Sequence, residues 1–337
     1  MKLAFLVDSY YSGGLGTISH VIPLTRELKK QKIFVDVFSF RFHPPIIGKV
    51  LHTISCGFKK LADYDVIHSQ EGAGVFIRHK KVEFVAHVPP VPQEVLSNLF
   101  FRTVIKSSIK TSDHVITPSY YTKHCLEKGG FSAEKPITVI HHGIDRDIFK
   151  RDASLRIAIR EKYKLNGFVA LTVGRMTRRK NQDDILYALS QLSGITLLLV
   201  GDGPERKNLS SLARKLSVKT LHFYNVPKKL LVGLYNAADV YLHTALLEGF
   251  GFPILEALSC GTPVIAYRTA DFDYVIGDGG YLITQGNIKE LRDKILYLKE
   301  NEYERKKLSR NALAQSQRFS WSEVARKYIR IYKEVAC

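Results

Sequence analysis

The sequence predicts an α/β protein built as two doubly wound parallel sheets, and three observations carry that expectation. Short β-branched or aromatic runs alternate with helical patterns almost from end to end. About six such runs fall in each half, which suits two sheets better than one of about twelve strands. Between the halves, DRDIFKRDASLRIAIREKYKLNG (145–167) is polar, charged and partly helical, which places the break near residue 150.

In the first half, strands are expected at LAFLVD (3–8), FVDVFSF (34–40), DVIH (65–68), EFVAHV (83–88), HVITPS (114–119) and TVIHHG (138–143). In the second they are FVALTVGR (168–175), TLLLVGD (196–202), LHFYN (221–225), DVYLHT (239–244), PVIAYR (263–268) and GYLI (280–283). Each is rich in side chains that pack on a pleated surface. The tail RFSWSEVARKYIRIYKEVAC (318–337) carries Val324, Tyr328, Ile331 and Tyr332 at helical spacing, a helix with one buried stripe. The expected division is 1–150, 151–317 and a terminal helix in 318–337.

Composition bounds the function. Apolar residues make up 45% of the 337 and charged ones 24%, the balance of a water-soluble globular protein. No apolar run approaches the roughly 18 to 20 residues of a membrane span. The opening MKLAFLVDSYYSGG has five apolar residues between its lysine and Asp8, too few for a signal-peptide core, and reads as a first strand. Cys56, Cys125, Cys260 and Cys337 lie far apart without a C-x-x-C pair, so neither a zinc site nor a disulfide framework is indicated. The cytoplasm is the expected compartment.

The formal charge is +18. Residues 1–150 hold 20 Lys and Arg against 13 Asp and Glu, and residues 151–337 hold 30 against 19. A basic chain attracts nucleic acid, anionic membrane surfaces and phosphorylated ligands. An even spread of charge argues against one nucleic-acid groove.

The most informative stretch is EGFGFPILEALSCGTPVIAYR (248–268). Pro253 suits the first position of a helix, where its missing N–H is no loss. That start puts Glu256 in the first turn and leaves Glu248 on the loop leaving strand 239–244. The two acids then flank a helix N-terminus, whose N–H groups and partial positive charge suit phosphate. Carboxylates repel phosphate but accept bonds from hydroxyls. Such a site fits a ligand with a diphosphate in the middle and sugars at both ends; an acidic cap beside a surface loop is the structural alternative. Strand 168–175 runs on as GRMTRRKNQ, with Arg175 leaving the strand and Arg178, Arg179 and Lys180 just before a helix start, well placed to neutralise a diphosphate. After the first strand come Gly13, Gly14 and Gly16, which permit close backbone approach to a ligand. GDGPER (201–206) is a second glycine turn at a strand end. Open parallel sheets bind ligands at the carboxyl ends of their strands, so a cleft between two such domains is the expected site.

In this order, the GGLG loop, VAHVPP, SDHVITPS, VIHHGID, VGRMTRRKN, LLLVGDGP and NAADVYLHTALLEGFGFPILEALSCGTPVI resemble glycosyltransferase family four, whose E-x7-E motif is here Glu248 to Glu256. The resemblance implies GT-B architecture: two Rossmann-like domains facing each other across a cleft, with the C-terminal helix returning to the first domain. It implies a retaining hexose transfer from a UDP- or GDP-linked sugar, without metal or other cofactor, to a glycan or lipid-linked acceptor. By the same resemblance Glu248 contacts the donor sugar's hydroxyls, Glu256 the nucleoside ribose, and Arg175 and Lys180 the diphosphate. Phe250, Gly251 and Phe252 contribute at the donor, Val226 lines the base, and Gly14 approaches from the first domain. His87 matches the histidine beside the transferred sugar; His68, His141 and His142 stand at other strand ends, and it is the resemblance that selects His87.

Departures from the family pattern are His243-Thr244 in place of Pro-Ser, His142-Gly143 in place of Asn-Gly, and Tyr274, next to Asp273, in place of an acid. The letters D-x-D occur at 63–65, 145–147 and 271–273, but the two-domain reading gives none a metal role. No carboxylate is placed as a nucleophile for double displacement, so the family's front-face attack within an ion pair is the implied route. Arg102, Lys106 and Lys110 form a basic stripe in 96–111, flanked by Leu99, Phe100, Val104 and Ile105, and 41–61 is apolar with basic ends. These suit an anionic membrane surface on its cytoplasmic side; two ordinary helices over the first sheet are the alternative. A GT-B-like epimerase or phosphorylase would use the same cleft, and a nucleic-acid-binding protein would share the charge but shows no recognised binding module.

Overall fold

The computed structural model describes residues 1–8, 18–40, 61–75, 77, 79–85, 95–131 and 134–337. Elements are numbered along the whole chain. Two compact units form, residues 1–143 with 320–337, and residues 144–319.

The first unit contains β1 (Lys2–Asp8), α1 (Ile18–Lys30), β2 (Phe34–Phe40), β3 (Val66–Gln70), β4 (Lys81–Phe84), α2 (Val95–Lys110), β5 (His114–Thr117), α3 (Tyr120–Lys128), β6 (Ile137–Val139) and the last helix, α12 (Trp321–Ala336). Its sheet is parallel, in the order β2-β1-β3-β4-β5-β6. β4 starts at Lys81, ahead of the expected residue 83, and residues 86–88 lie outside the described ones. A buried lysine, two residues ahead of a buried acid, disguises the start of this strand in the sequence. The Lys81 ammonium donates to the Gly74 carbonyl (3.0 Å), Ser108 (3.1 Å) and Thr111 (2.7 Å), while the Glu83 carboxylate accepts from the Gly72 N–H and the Ser108 hydroxyl, both at 2.6 Å. Burial of both is tolerated because each is hydrogen-bonded.

Ile105, read as apolar surface from the sequence, is a correction. It and Ile109 pack with Val85, Val115, Leu126 and Phe131, because the inner face of α2 closes the core over β5. Lys106 and Lys110 are exposed, whereas the Arg102 guanidinium lies 4.7 Å from the Phe131 ring centre. The stretch 41–60 and the side chains of Leu99 and Phe100 lie outside the described residues.

The four stripe residues Val324, Tyr328, Ile331 and Tyr332 are all buried, and α12 packs on α1, β3 and β4. Beneath it lies an aromatic cluster with three buried histidines. His68 stacks on Phe5 at 4.2 Å and shares a 2.9 Å hydrogen bond with the Tyr332 hydroxyl, and His20 stacks on His142 (5.0 Å) with its ring tilted against Phe84 (4.5 Å). Burial pulls His20 and His68 down to about 3 and holds His142 well below the ordinary imidazole value.

The second unit holds α4 (Ala153–Lys162), β7 (Phe168–Val173), α5 (Asp183–Leu189), β8 (Ile195–Val200), α6 (Arg206–Lys215), β9 (Thr220–Phe223), α7 (Lys228–Ala237), β10 (Val240–His243), α8 (Phe252–Ser259), β11 (Val264–Tyr267), α9 (Phe272–Ile276), β12 (Gly280–Ile283), α10 (Ile288–Glu300) and α11 (Glu302–Ser316). The chain enters this unit at Ile144, earlier than residue 150, because Ile144 and Phe149 belong to its core and Ser259 donates to the Phe149 carbonyl (2.6 Å). Its parallel sheet runs β12-β11-β10-β7-β8-β9. Val169, Leu171 and Val173 of β7 face one core and Phe168 and Ala170 the other, so both faces are covered and the strands read as continuous apolar runs. The strand order reverses between β7 and β10, and the carboxyl ends of strands at such a reversal are where open parallel sheets bind ligands. Among the described residues no helix is long and apolar enough to cross a membrane.

Candidate functional site

The loops leaving β7 and β10 meet at this reversal and are stitched together. The Leu246 N–H donates to the Arg179 carbonyl (2.9 Å), the Arg179 guanidinium to the Leu247 carbonyl (2.6 Å), and the Thr244 hydroxyl to the Asn181 carbonyl (2.8 Å). A short 3-10 turn, Arg178–Lys180, ends on Asn181 at φ 50° and directs Lys180 inward. The GDGPER turn supports it from β8: a Cβ on Gly201 would lie 1.9 Å from the Gly174 carbonyl oxygen, so glycine there permits the contact.

Lys180 and Glu248, with side chains 12% and 14% exposed, form a direct ion pair. Arg179 Nη1 lies 3.9 Å from Glu248 Oε1, and His243 Nε2 lies 3.6 Å from Glu248 Oε2. Burial pushes the Glu248 carboxyl up, but Lys180, His243 and Arg179 together outweigh it and hold the group well below the usual carboxylate range. Glu248 is thus an anion at neutral pH, held beside a cation.

α8 begins at Phe252, not at Pro253, because Gly251 at φ 89° reverses the chain one residue earlier and takes the cap. Pro253 is therefore second in the helix, and Glu256 falls in the second turn and not the first. Proline supplies no N–H and the Ile254 N–H turns back to the Gly251 carbonyl (3.0 Å), so this end offers fewer donors than a generic helix start. A Cβ on Gly251 would meet Phe272 Cε1 at 2.8 Å. Gly251→Ala should therefore cost about 1–3 kcal/mol, from left-handed backbone strain plus the clash. Denaturant unfolding measures this, and an unchanged midpoint would contradict it.

Glu256, like Glu248, is half-buried. Its Oε2 accepts from the Tyr235 hydroxyl at 2.8 Å. Burial raises its carboxyl to about 7, with the Tyr235 bond and the Lys228 charge pulling the other way. Tyr235 packs against Tyr241, ring centres 5.8 Å apart, and the Tyr241 hydroxyl contacts His243 Nδ1 (2.9 Å) and the Val173 carbonyl (3.2 Å).

Of the residues singled out in the sequence, the structure brings Lys180 and Glu248 into contact. Arg175 is exposed, and among the described residues its side chain makes no hydrogen bond or ion pair. Val226, between β9 and α7, is half-buried against the core, and Phe250 is buried, edge-on to Phe252 at 5.6 Å. Gly14 and His87 lie outside the described residues. His68 and His142 are packed in the first unit's core, and the His141 ring lies 5.8 Å from that of Tyr120. Tyr274 turns toward Phe319 (5.9 Å), under the Arg318 guanidinium. Sequence reasoning missed Tyr235, Tyr241 and the bonding role of Thr244. Tyr241 was within reach: two residues before His243 on one strand, it must share its face. Tyr235 sits on another helix and left no local signal.

Two parallel sheets of six strands, with an acid and a lysine at the second sheet's reversal, define a GT-B protein. Two family models divide the chain: "Glycosyltransferase Family 4" matches residues 14–148 and "Glycosyl transferases group 1" matches residues 156–315. The chain belongs to this glycosyltransferase family. O-antigen chain mannosyltransferase B of Escherichia coli is 30% identical over 233 residues, 63% of this chain and 60% of that protein. The chain spans about three-fifths of the length of the curated relatives it matches. Among solved structures, sucrose-phosphate synthase from Thermosynechococcus elongatus superposes with a TM-score of 0.87 at 19% identity, covering 99% of both chains. HepE of Anabaena, solved with UDP-glucose, gives 0.80 at 24% identity over 99% of this chain and 100% of its own. At these identities the superpositions speak to the fold.

Proposed function

We propose that this protein is a retaining glycosyltransferase that moves a hexose from a nucleotide-diphosphate sugar to a glycan or lipid-linked acceptor. The observation that carries the reading is the Lys180–Glu248 pair at the strand-order reversal of the second unit. A cation and an anion side by side match the two halves of a sugar diphosphate: ammonium for phosphate, carboxylate for sugar hydroxyls. Its support among relatives is a mannosyltransferase by sequence and a UDP-glucose complex by fold. In this reading residues 144–319 hold the donor and the first unit the acceptor. Lys180 and Arg175 neutralise the departing diphosphate, Glu248 orients the sugar, Glu256 takes the ribose, and the Gly251–Phe252 backbone and Val226 complete the donor site. His87 and Gly14 act from the first domain. Fixed charges aimed at the leaving group supply the electrostatic part of the rate enhancement.

Calorimetric titration with UDP- and GDP-sugars, in chelator, tests the reading. One nucleotide sugar should bind in preference to its bare nucleotide; salt-sensitive DNA binding with no nucleotide-sugar affinity would overturn it. Glu256 adds a pH signature. Its carboxyl, raised to about 7, must be ionised to accept from both ribose hydroxyls. Donor affinity should therefore fall by about tenfold from pH 8 to pH 6, and Glu256→Gln should flatten the profile. A nucleotide sugar has no phosphate titrating in this range, so a flat wild-type profile would remove Glu256 from the ribose.

A further inference from the structure

The polar group at the reversal that the reading above leaves without a task is His243. It ends β10, is 3% exposed, and among the described residues its Nε2 has no hydrogen-bond partner although it faces the Glu248 carboxylate at 3.6 Å. A buried donor left unbonded costs about 1–3 kcal/mol, so its retention at this position calls for a reason. The ring is held on its other sides. Nδ1 contacts the Tyr241 hydroxyl at 2.9 Å and the Phe272 ring stands edge-on at 5.3 Å.

The tautomer follows from what surrounds it. Opposite Nε2 stands an ionised carboxylate, against which a bare nitrogen lone pair would be repelled. Opposite Nδ1 stands the Tyr241 hydroxyl, whose one proton can go to Nδ1 at 2.9 Å or to the Val173 carbonyl at 3.2 Å. The carboxylate decides between them: the favoured arrangement turns Tyr241 O–H to Nδ1, gives up the longer bond to Val173 and puts the ring proton on Nε2, aimed at Glu248. Burial keeps the ring neutral, so it offers a donor without adding a third cation beside Lys180 and Arg179.

Lys180 cannot serve Glu248 and a diphosphate equally well. As the donor's phosphates draw the ammonium away, Glu248 loses its shortest contact at the moment it must orient the sugar. We propose that His243 is a positioning residue that takes over Glu248 at this point: the carboxylate exchanges the Lys180 ammonium for the His243 Nε2–H, closing 3.6 Å to hydrogen-bond length. This rests on the donor-site reading above. It adds that Glu248 has two alternative partners, one for the empty site and one for the filled site. Any diphosphate draws Lys180 away, but only the sugar sets hydroxyls against the re-seated carboxylate; with a bare nucleotide Glu248 is left to Arg179 and solvent, so the loss of His243 falls on the sugar nucleotide.

Affinities for UDP, UDP-glucose, GDP and GDP-mannose, with turnover of the sugar that binds, are measured for wild type, His243→Leu, His243→Gln and Tyr241→Phe. Leucine fills the space without a donor, whereas glutamine places an amide N–H near the Nε2 position. His243→Leu should lower kcat/KM for the nucleotide sugar by about 10- to 100-fold and leave the bare nucleotide within about 2-fold, and His243→Gln should recover to within about 3-fold of wild type. Wild-type turnover in His243→Leu, an equal loss of bare-nucleotide affinity, or a His243→Gln as impaired as His243→Leu would each overturn the assignment. Should His243→Leu melt early, Tyr241→Phe decides: it releases Nδ1 and should cost about 3- to 10-fold on the sugar nucleotide alone, and no such loss refutes the exchange. A wild-type protein that prefers none of these sugar nucleotides to its bare nucleotide would overturn the donor reading itself, which separates the two failures.

Discussion

Glu248→Gln is expected to lower kcat/KM for the sugar nucleotide by about 10³-fold, at the upper end of what removal of one preorganised electrostatic group costs. The amide keeps the size of the carboxylate but removes the charge that Lys180, Arg179 and His243 converge on. It also presents an N–H where the sugar needs an acceptor. The same change should destabilise the fold by about 1–3 kcal/mol, because the Lys180 ammonium, only 12% exposed, then has no anion beside it. That sign is unusual for a binding-site residue, whose removal often relieves strain. Lys180→Ala should also abolish turnover, but with a smaller stability loss, since Glu248 keeps Arg179 and His243 as neighbours. Steady-state kinetics and chemical denaturation on the two variants check both statements. Turnover within about 3-fold of wild type in a folded Glu248→Gln would end the assignment of this acid to the sugar.

The second large effect concerns acid. His20 and His68 titrate near 3 when folded, against an ordinary value of 6.5, and His142 shifts in the same direction. Since the unfolded chain binds these protons first, stability is fully present above pH 6.5 and is lost as pH falls below it. At pH 5 each of the two should have withdrawn about 2 kcal/mol from the first unit, with His142 adding to the loss. In the second unit Glu256 acts oppositely over part of this range, whereas the buried His243 there shifts down like the first unit's histidines. Glu256 is raised to about 7, so protonating it as pH falls relieves an unfavourable buried charge. Trp321, the single tryptophan of the chain, lies 6.1 Å from His142 and reports the first unit alone. Its fluorescence should give an unfolding midpoint that falls steeply from pH 7 to pH 5, and replacing His68 by phenylalanine should make the fall shallower. A midpoint constant over that range would contradict the burial of neutral histidines.

The sequence carried the fold because its strands are apolar on both faces and its turns are glycine-marked. All twelve expected strands are present, and the stripe of Val324, Tyr328, Ile331 and Tyr332 is the buried face of α12. Errors arose where tertiary contacts outrank local pattern. Lys81 looks like a loop residue until Ser108, Thr111 and the Gly74 carbonyl satisfy it. Pro253 marked a helix start correctly to within one residue, but only the left-handed Gly251 fixes which residue leads. Within the candidate site, Glu248 and Lys180 were legible because each stands in a conspicuous motif. Tyr235, which bonds Glu256 from another helix, looks like an ordinary core aromatic and nothing local distinguishes it, whereas the strand period already set Tyr241 on the face of His243.

The path of the chain has a consequence for its synthesis. Residues 144–319 are an insert, entered and left side by side, since the Ile144 N–H donates to the Phe319 carbonyl at 2.9 Å. On the ribosome the insert can close as soon as Phe319 emerges, whereas the unit begun first must wait for its final helix. Until then the nascent chain carries His68 and the faces of α1 and β3 uncovered, so residues 1–143 mature after the insert that follows them.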